Sequence, residues 1–267
     1  MSGDGIERRW KLAEDIIREA GRLARAFFDN RASLSIEQKG LQDFVSRADK
    51  ETEALIVSRL GRDCPQDGIL GEEGGRYDDK GHGDAGHSVW VIDPIDGTAN
   101  FLRGLPFWCI SLALVHEGRL ELGLIYDPVR DELFSGRRGH GAFLNGQPIR
   151  VSGVNEPARA CIGLGYGHRM RQQPHVEAID GLLRQGCEYR RFGSGALGIA
   201  YVAAGRLDGF FETHLNSWDA LGGLLLVAEA GGELNDFLAN DGLMRGNAVL
   251  ATTPGLYGFV AGIVGFE

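Results

Sequence analysis

Apolar residues near the start of the chain recur three and four positions apart. Ile16, Ala20, Leu23, Ala24 and Phe27 fall on one side, with charges on the other. That spacing predicts an amphipathic helix over about residues 4–30. "KETEALIVSRL", residues 50–60, predicts a second helix, with Asp49 near its start in the manner of an N-cap. Ile69 and Leu70 form a short buried strand, and Glu72 and Glu73 follow it directly. Residues 74–88, "GGRYDDKGHGDAGHS", are polar and glycine-rich and read as a mobile surface loop. From Val89 to about Phe143 the pattern shortens to strands. "VWVID", "WCISLALVH", "RLELGLIYDP" and "DELFSG" are joined by tight turns such as Glu117-Gly118, and "GAFLNGQPIRVS" turns at Asn145-Gly146. This is an antiparallel sheet.

Past about Ser152 strands and helices alternate. A strand over about residues 160–164 precedes a helix over 175–184. "CEYRRFG" reads as a strand, "GALGIAYVAAG" as a helix, "LDGFFE" as a strand and "SWDALGGLLLVAEAGG" as a long helix ending at glycines. "NAVLAT" and a final helix close the chain. Alternation of this kind predicts an α/β half. The chain therefore divides into an α+β half, residues 1–150, and an α/β half, residues 151–267, with a site between them. No internal repeat interrupts this order.

Composition sharpens the picture. The 41 glycines, set against 8 prolines, lie between apolar segments and argue for tight turns rather than disorder. A net charge of −9 lacks the basic surplus of a nucleic-acid binder, and "GRRGH" and "YRRF" are short enough to be solvated surface arginines. Cys64, Cys109, Cys161 and Cys187 are scattered, with no C-x-x-C pair, which suggests a reducing compartment and neither a zinc site nor a disulfide framework. The N-terminus has no apolar core of signal-peptide length, and no stretch is apolar enough to span a bilayer. A cytoplasmic enzyme is expected.

The candidate chemistry lies in "WVIDPIDGTANF". An apolar strand delivers Asp93, and Pro94 fixes φ and should stop the strand. Asp96 lies three residues on, so a turn or a first helical turn should bring it beside Asp93. Gly97 permits close backbone approach, and "TANF" can begin a helix whose N-terminal N–H groups suit phosphate. One short segment thus supplies two hard oxygen ligands and an anion cradle, the pattern of Mg²⁺ with a substrate phosphate. Glu72, at a strand end, and Asp219, in the first turn of the helix near Ser217, are placed like two further ligands. Four such acids repel one another unless cations bridge them. Other signals fall away. "GHGDAG", residues 81–86, fits G-x-G-x-x-G but precedes a strand instead of linking strand to helix. No histidines pair at metal spacing, and no G-x-S-x-G elbow is present.

Taken together, these segments resemble the inositol monophosphatase family, within the lithium-sensitive, metal-dependent sugar phosphatase superfamily. "DFVSRADKETE", "GILGEEGG", "WVIDPIDGTANFLRGLPFWCISLAL", "GLIYDPVRDELFSGRRGHGAFLNG" and "SWDALGGLLLVAEAGG" carry the likeness along nearly the whole chain. The resemblance implies a layered αβαβα sandwich of α+β and α/β halves, usually a homodimer. It implies two or three Mg²⁺ ions: Glu72, Asp93 and the Ile95 carbonyl on the first, Asp93, Asp96 and Asp219 on the second, and a weaker third near Glu72. The nucleophile would be a water on the first metal, oriented by Glu72 and Thr98, with Thr98 polarised by Asp49. Gly97 and Thr98 would hold phosphate oxygens, with Ile95, Asp96 and Asp219 bordering the ester. Glu212 and the backbone of Gly193, Ser194 and Gly195 would meet the polyol. Lys39 matches a family lysine near the outer metal. Ala99 and Asn216 depart from the animal pattern of a second threonine and a histidine.

A haloacid-dehalogenase-type phosphatase needs D-x-D-x-T, and Pro94 occupies the nucleophile position two before Asp96. The expected activity is Mg²⁺-dependent hydrolysis of a small polyol phosphate, myo-inositol monophosphate first, sensitive to lithium. Histidinol phosphate, fructose 1,6-bisphosphate and 3′-phosphoadenosine 5′-phosphate are alternatives within the superfamily. Some bacterial relatives bind transcription or RNA-processing machinery, so a regulatory binding module is the alternative of another class, although nothing in the sequence itself supports such an association.

Overall fold

The computed structural model describes residues 3–31, 36–40, 43–76, 87–167 and 170–266, with backbone alone for 3–4, 36–40, 43–45 and 76. The Lys39 side chain and residues 81–86 lie outside the described residues. Chain order begins with α1 (Gly3–Asp29), β1 (Ile36–Gly40), β2 (Asp43–Ser46), α2 (Arg47–Asp63), β3 (Gly68–Gly71), β4 (Gly75–Arg76) and β5 (Ser88–Asp96). The short α3 (Thr98–Arg103) leads into β6 (Cys109–His116), β7 (Arg119–Asp127), β8 (Glu132–Arg137), β9 (Gly141–Leu144) and β10 (Gln147–Pro148). The second half runs β11 (Cys161–Leu164), α4 (Gln172–Arg184), β12 (Glu188–Arg190), α5 (Gly195–Ala203), β13 (Gly209–Leu215), α6 (Ser217–Glu229), β14 (Glu233–Leu234), α7 (Gly242–Arg245), β15 (Asn247–Thr252) and α8 (Tyr257–Val264).

Strand alternation builds the layers. On β5, Trp90 and Ile92 point to a core shared with Ile16, Ile17 and Ala20 of α1 and Ile56 and Leu60 of α2. Val89 and Val91, one residue out of phase, join Ile199 of α5 and Leu224 and Leu225 of α6. That core continues into the second sheet through Phe210, Val249 and Ala251. On its far side Phe211 and Leu250 pack with Ala178 and Leu182 of α4 and Val260 of α8. The sequence of layers is therefore α1/α2, an eight-stranded sheet, α5/α6, a five-stranded sheet and α4/α8: the αβαβα sandwich. The eight-stranded sheet has the order β10-β9-β8-β7-β6-β5-β3-β4 and is antiparallel except for β3 against β5. The five-stranded sheet, β12-β11-β13-β15-β14, is mixed, because only its first three strands run parallel.

Several sequence expectations shift. The second helix starts at Arg47 with Ser46 as its cap, so Asp49 is not the N-cap but the third residue of a capping box. Within 74–88, Gly75–Arg76 pairs with β3, and Ser88 already belongs to β5. The strand expected over 187–193 narrows to Glu188–Arg190.

The middle helical layer sits close because two glycines face each other. A Cβ on Gly123 of β7 would lie 2.4 Å from the Gly222 carbonyl oxygen of α6. Backbone cannot yield as a flexible side chain does. Gly123→Ala is therefore expected to destabilise the fold by about 1–3 kcal/mol, read as a lowered denaturation midpoint. A variant unfolding with the wild-type midpoint would disprove this tight approach.

Candidate active site

The site begins at an irregularity in β5. Asp93 lies opposite Ser111, and Asp96 lies opposite Cys109, so β5 spends three steps where β6 spends two. The extra residue makes a bulge, and Pro94, which has no N–H to offer a ladder, occupies it. Pro94 therefore does not stop the strand, as the sequence suggested. The strand runs on to Asp96, and the bulge, rather than a turn, gathers the two carboxylates. The Ile95 N–H donates to Asp93 Oδ1 at 2.9 Å and holds the local bend.

Asp219 arrives from the second half. It stands in the first turn of α6, where the Asn216 N–H donates to its Oδ2 at 3.0 Å and the Asn216 side chain at 3.3 Å. Asp96 is gripped by the start of α5: Ser194 Oγ and the Ala196 N–H donate to its Oδ2, and the Gly195 N–H to its Oδ1. One carboxylate oxygen from each of Asp93, Asp96 and Asp219 falls within 4.8 Å of the others. Glu72 follows β3, and its N–H extends the pairing with β5 by donating to the Ile92 carbonyl at 3.1 Å. Its side chain meets that of Asp93.

Electrostatics define what this cluster lacks. Burial, then the Asp219 and Glu73 charges, push Glu72 well above the usual carboxylate range. Burial and the Glu72, Asp96 and Asp219 charges do the same to Asp93. Burial raises Asp96 despite its hydrogen bonds to Ser194 and α5, and burial with the Asp96 charge pushes Asp219 up to about 7. Among the described residues, no lysine or arginine forms an ion pair with any of the four. Converging hard oxygens without a counter-charge fit a divalent cation of the Mg²⁺ type.

The cleft in front of the acids has a volume of about 760 Å³. Glu72, Asp96, Gly97, Thr98, Gly193, Ser194, Gly195, Glu212 and Asp219 line it. Gly97, at φ +94°, turns the chain into α3, whose first N–H groups have no partner within the helix. Thr98 Oγ1 can donate to Ile95 O at 3.0 Å or to Asp49 Oδ1 at 3.3 Å. Asp49 is fully buried behind Thr98, and its other oxygen accepts from the Ser46 N–H and hydroxyl, each at 2.8 Å. The Ile95 side chain points away into the α1/α2 core, so only its carbonyl is near the chemistry. Glu212, 6 % exposed in the middle of β13, is raised by burial and by the Asp219 and Asp96 charges, with Arg191 opposing. Space for it is made at Gly165, where a Cβ would fall 1.7 Å from its Oε2.

Sequence reasoning missed Asn100. Its Nδ2 donates to the carbonyls of Phe107 and Phe192, both at 2.7 Å, tying α3 to the loop that carries Gly193. A polar residue inside an otherwise apolar helical turn was the available signal. The two capping boxes, Ser46 with Asp49 and Asn216 with Asp219, were also legible as a short polar residue three positions before an acid.

The chain as a whole is similar to known proteins. Nus factor SuhB of Xylella fastidiosa is 42% identical over 227 residues, covering 84% of this chain and 80% of that protein. Inositol-1-monophosphatase of Mesorhizobium japonicum is 39% identical over 240 residues, covering 87% and 89%. The crystal structure of extragenic suppressor protein suhB from Bartonella henselae superposes with a TM-score of 0.87 at 34% identity, covering 95% of this chain and 97% of that one. The inositol monophosphatase family pattern matches residues 7–264, and the chain belongs to that family.

Proposed function

We propose that the protein is a Mg²⁺-dependent phosphomonoesterase that transfers the phosphoryl group of a small polyol phosphate, myo-inositol monophosphate first, to water. One observation carries this reading: Asp93, Asp96 and Asp219 converge from both halves, 1–150 and 151–267, with Glu72 beside them and no cationic side chain paired to them among the described residues. These four and the Ile95 carbonyl would hold two or three ions. Bound Mg²⁺ supplies Lewis acidity, acidifying a water and neutralising charge on phosphoryl oxygens. Glu72 and Thr98 orient the attacking water. Asp49, by accepting the Thr98 proton, leaves the hydroxyl oxygen free to accept from that water. The Gly97 and Thr98 N–H groups hold phosphate oxygens at the α3 terminus. Glu212 accepts a polyol hydroxyl, with the backbone of Gly193, Ser194 and Gly195 bordering the ring. No covalent nucleophile is required, because phosphoryl transfer is governed by positioning and charge stabilisation.

The test is a comparison of kcat/KM, with Mg²⁺, for inositol 1-phosphate, histidinol phosphate, fructose 1,6-bisphosphate and 3′-phosphoadenosine 5′-phosphate. Inositol 1-phosphate is expected to lead by at least about tenfold, the scale of one well-satisfied hydroxyl contact. Preference for another ester would move the protein to that activity. No helix of the described residues is long and apolar enough to cross a membrane, and we place the enzyme in the cytoplasm as a homodimer.

A second reading draws on the relative named Nus factor SuhB. In that role the protein binds transcription or RNA-processing machinery, and catalysis is dispensable. Recovery of polymerase components in a pull-down, together with complementation of a null strain by Asp93→Asn, would support it. Failure of both would leave the phosphatase reading alone.

A further inference from the structure

Helix α2 carries two buried acids one turn apart, Asp49 and Glu53, and the proposed site uses only the first. Glu53 is 1 % exposed. Its Oε2 accepts the Glu73 N–H at 3.0 Å and its Oε1 the Gly74 N–H at 2.7 Å. Room is left for it at Gly71, where a Cβ would lie 2.6 Å from Oε2. Glu72 stands between these contacts. Its own N–H is held by Ile92, and the next two N–H groups are held by Glu53. Hydrogen bonds to an ionised acceptor are short and directional, so two on one carboxylate fix a turn firmly. Four residues earlier, on the same helix face, Asp49 meets Thr98.

We propose that Glu53 is a positioning residue for Glu72. A single turn of α2 sets the separation between Glu72, through Glu53, and Thr98, through Asp49. This rests on the phosphatase reading, in which Glu72 and Thr98 orient the water. Glu53 itself does not line the cleft. Glutamine could not replace it, because the amide would turn N–H donors toward a backbone N–H. An acid that merely fills the core would affect folding stability and leave metal binding by the folded protein unchanged.

The experiment compares wild type, Glu53→Gln and Gly71→Ala by calorimetric Mg²⁺ titration and by inositol 1-phosphate hydrolysis, each below its own unfolding midpoint. Supporting positions of this kind change metal affinity or activity by about 10- to 100-fold, and we expect Mg²⁺ binding weakened and kcat lowered on that scale. Substrate KM at saturating Mg²⁺ should stay within about threefold, because the cleft wall is untouched. Wild-type Mg²⁺ affinity and kcat in variants that have only a lower midpoint would overturn the proposal. If wild type hydrolyses none of the esters, the phosphatase reading falls, and the Mg²⁺ titration alone decides for or against Glu53. If neither variant folds, amide exchange on wild type decides. Slow Glu73 and Gly74 amides that slow further with Mg²⁺ support the proposal, and fast exchange with and without the ion refutes it.

Discussion

Asp93→Asn is expected to lower kcat by at least about three orders of magnitude, a loss of roughly 4 kcal/mol in transition-state stabilisation. Asp93 is 1 % exposed and stands between Glu72, Asp96 and Asp219. The amide keeps the shape and one acceptor oxygen, so the Ile95 N–H retains its partner. What it loses is the charge and one anionic oxygen among the acids that would hold the proposed ions. The same substitution should leave the fold intact and raise the unfolding temperature of the metal-free protein, since it removes one of four crowded like charges. Loss of activity with gain of apo stability separates a ligand from a residue that merely supports the core. Steady-state kinetics and thermal unfolding in EDTA check both signs, and wild-type-like hydrolysis by the variant would refute the site assignment.

Much of the architecture was legible because apolar periodicity is a local property. The run from Val89 to Ile92 ends in Asp93 whatever the rest of the chain does, and α1 shows its stripe without help. What stayed hidden depended on partners distant in sequence. Pro94 read as a strand terminator, because only β6 reveals that the ladder resumes at Asp96 opposite Cys109. Asp49 read as a cap until Ser46 proved the better one. Alternating strands and helices predicted the second sheet but not its mixed directions, since alternation says nothing about which edge β15 joins. Glu53 carried no signal of its reach, because its donors are 20 and 21 residues away, and the polarity of Asn100 within its turn did not disclose that one of its acceptors, the Phe192 carbonyl, lies 92 residues on.

Metal-free protein is expected to lose stability steadily from about pH 5 to pH 8 and to regain it with Mg²⁺. The sign follows from the direction of the shifts. Glu72, Asp93, Asp96 and Asp219 all have native-state pKa values raised above their unfolded ones. The native state therefore binds protons more tightly than the unfolded chain. Their contribution is fully present below the unfolded values, about pH 4, and is lost as pH rises through the native ones. Asp219, raised to about 7, marks the middle of the window. A shift of that size corresponds to at most about 4 kcal/mol, trimmed by the cleft water that reaches this half-buried group. His175 works in the opposite direction, since burial lowers its pKa and favours its neutral form as pH rises. Asp93→Asn removes one of these four groups, so the wild-type curve should fall more steeply with pH than the variant's. A divalent ion that binds only the native state adds about 2.7 kcal/mol at a hundred times its dissociation constant. Protons compete for the same oxygens, so the Mg²⁺-induced rise in Tm should be larger at pH 8 than at pH 5. Unfolding scans at pH 5, 6, 7 and 8, with EDTA and with Mg²⁺, measure all of this. A metal-free midpoint that stays level across the series, or an equal Mg²⁺ shift at both ends, would mean that these carboxylates are not the uncompensated charge cluster on which the site depends.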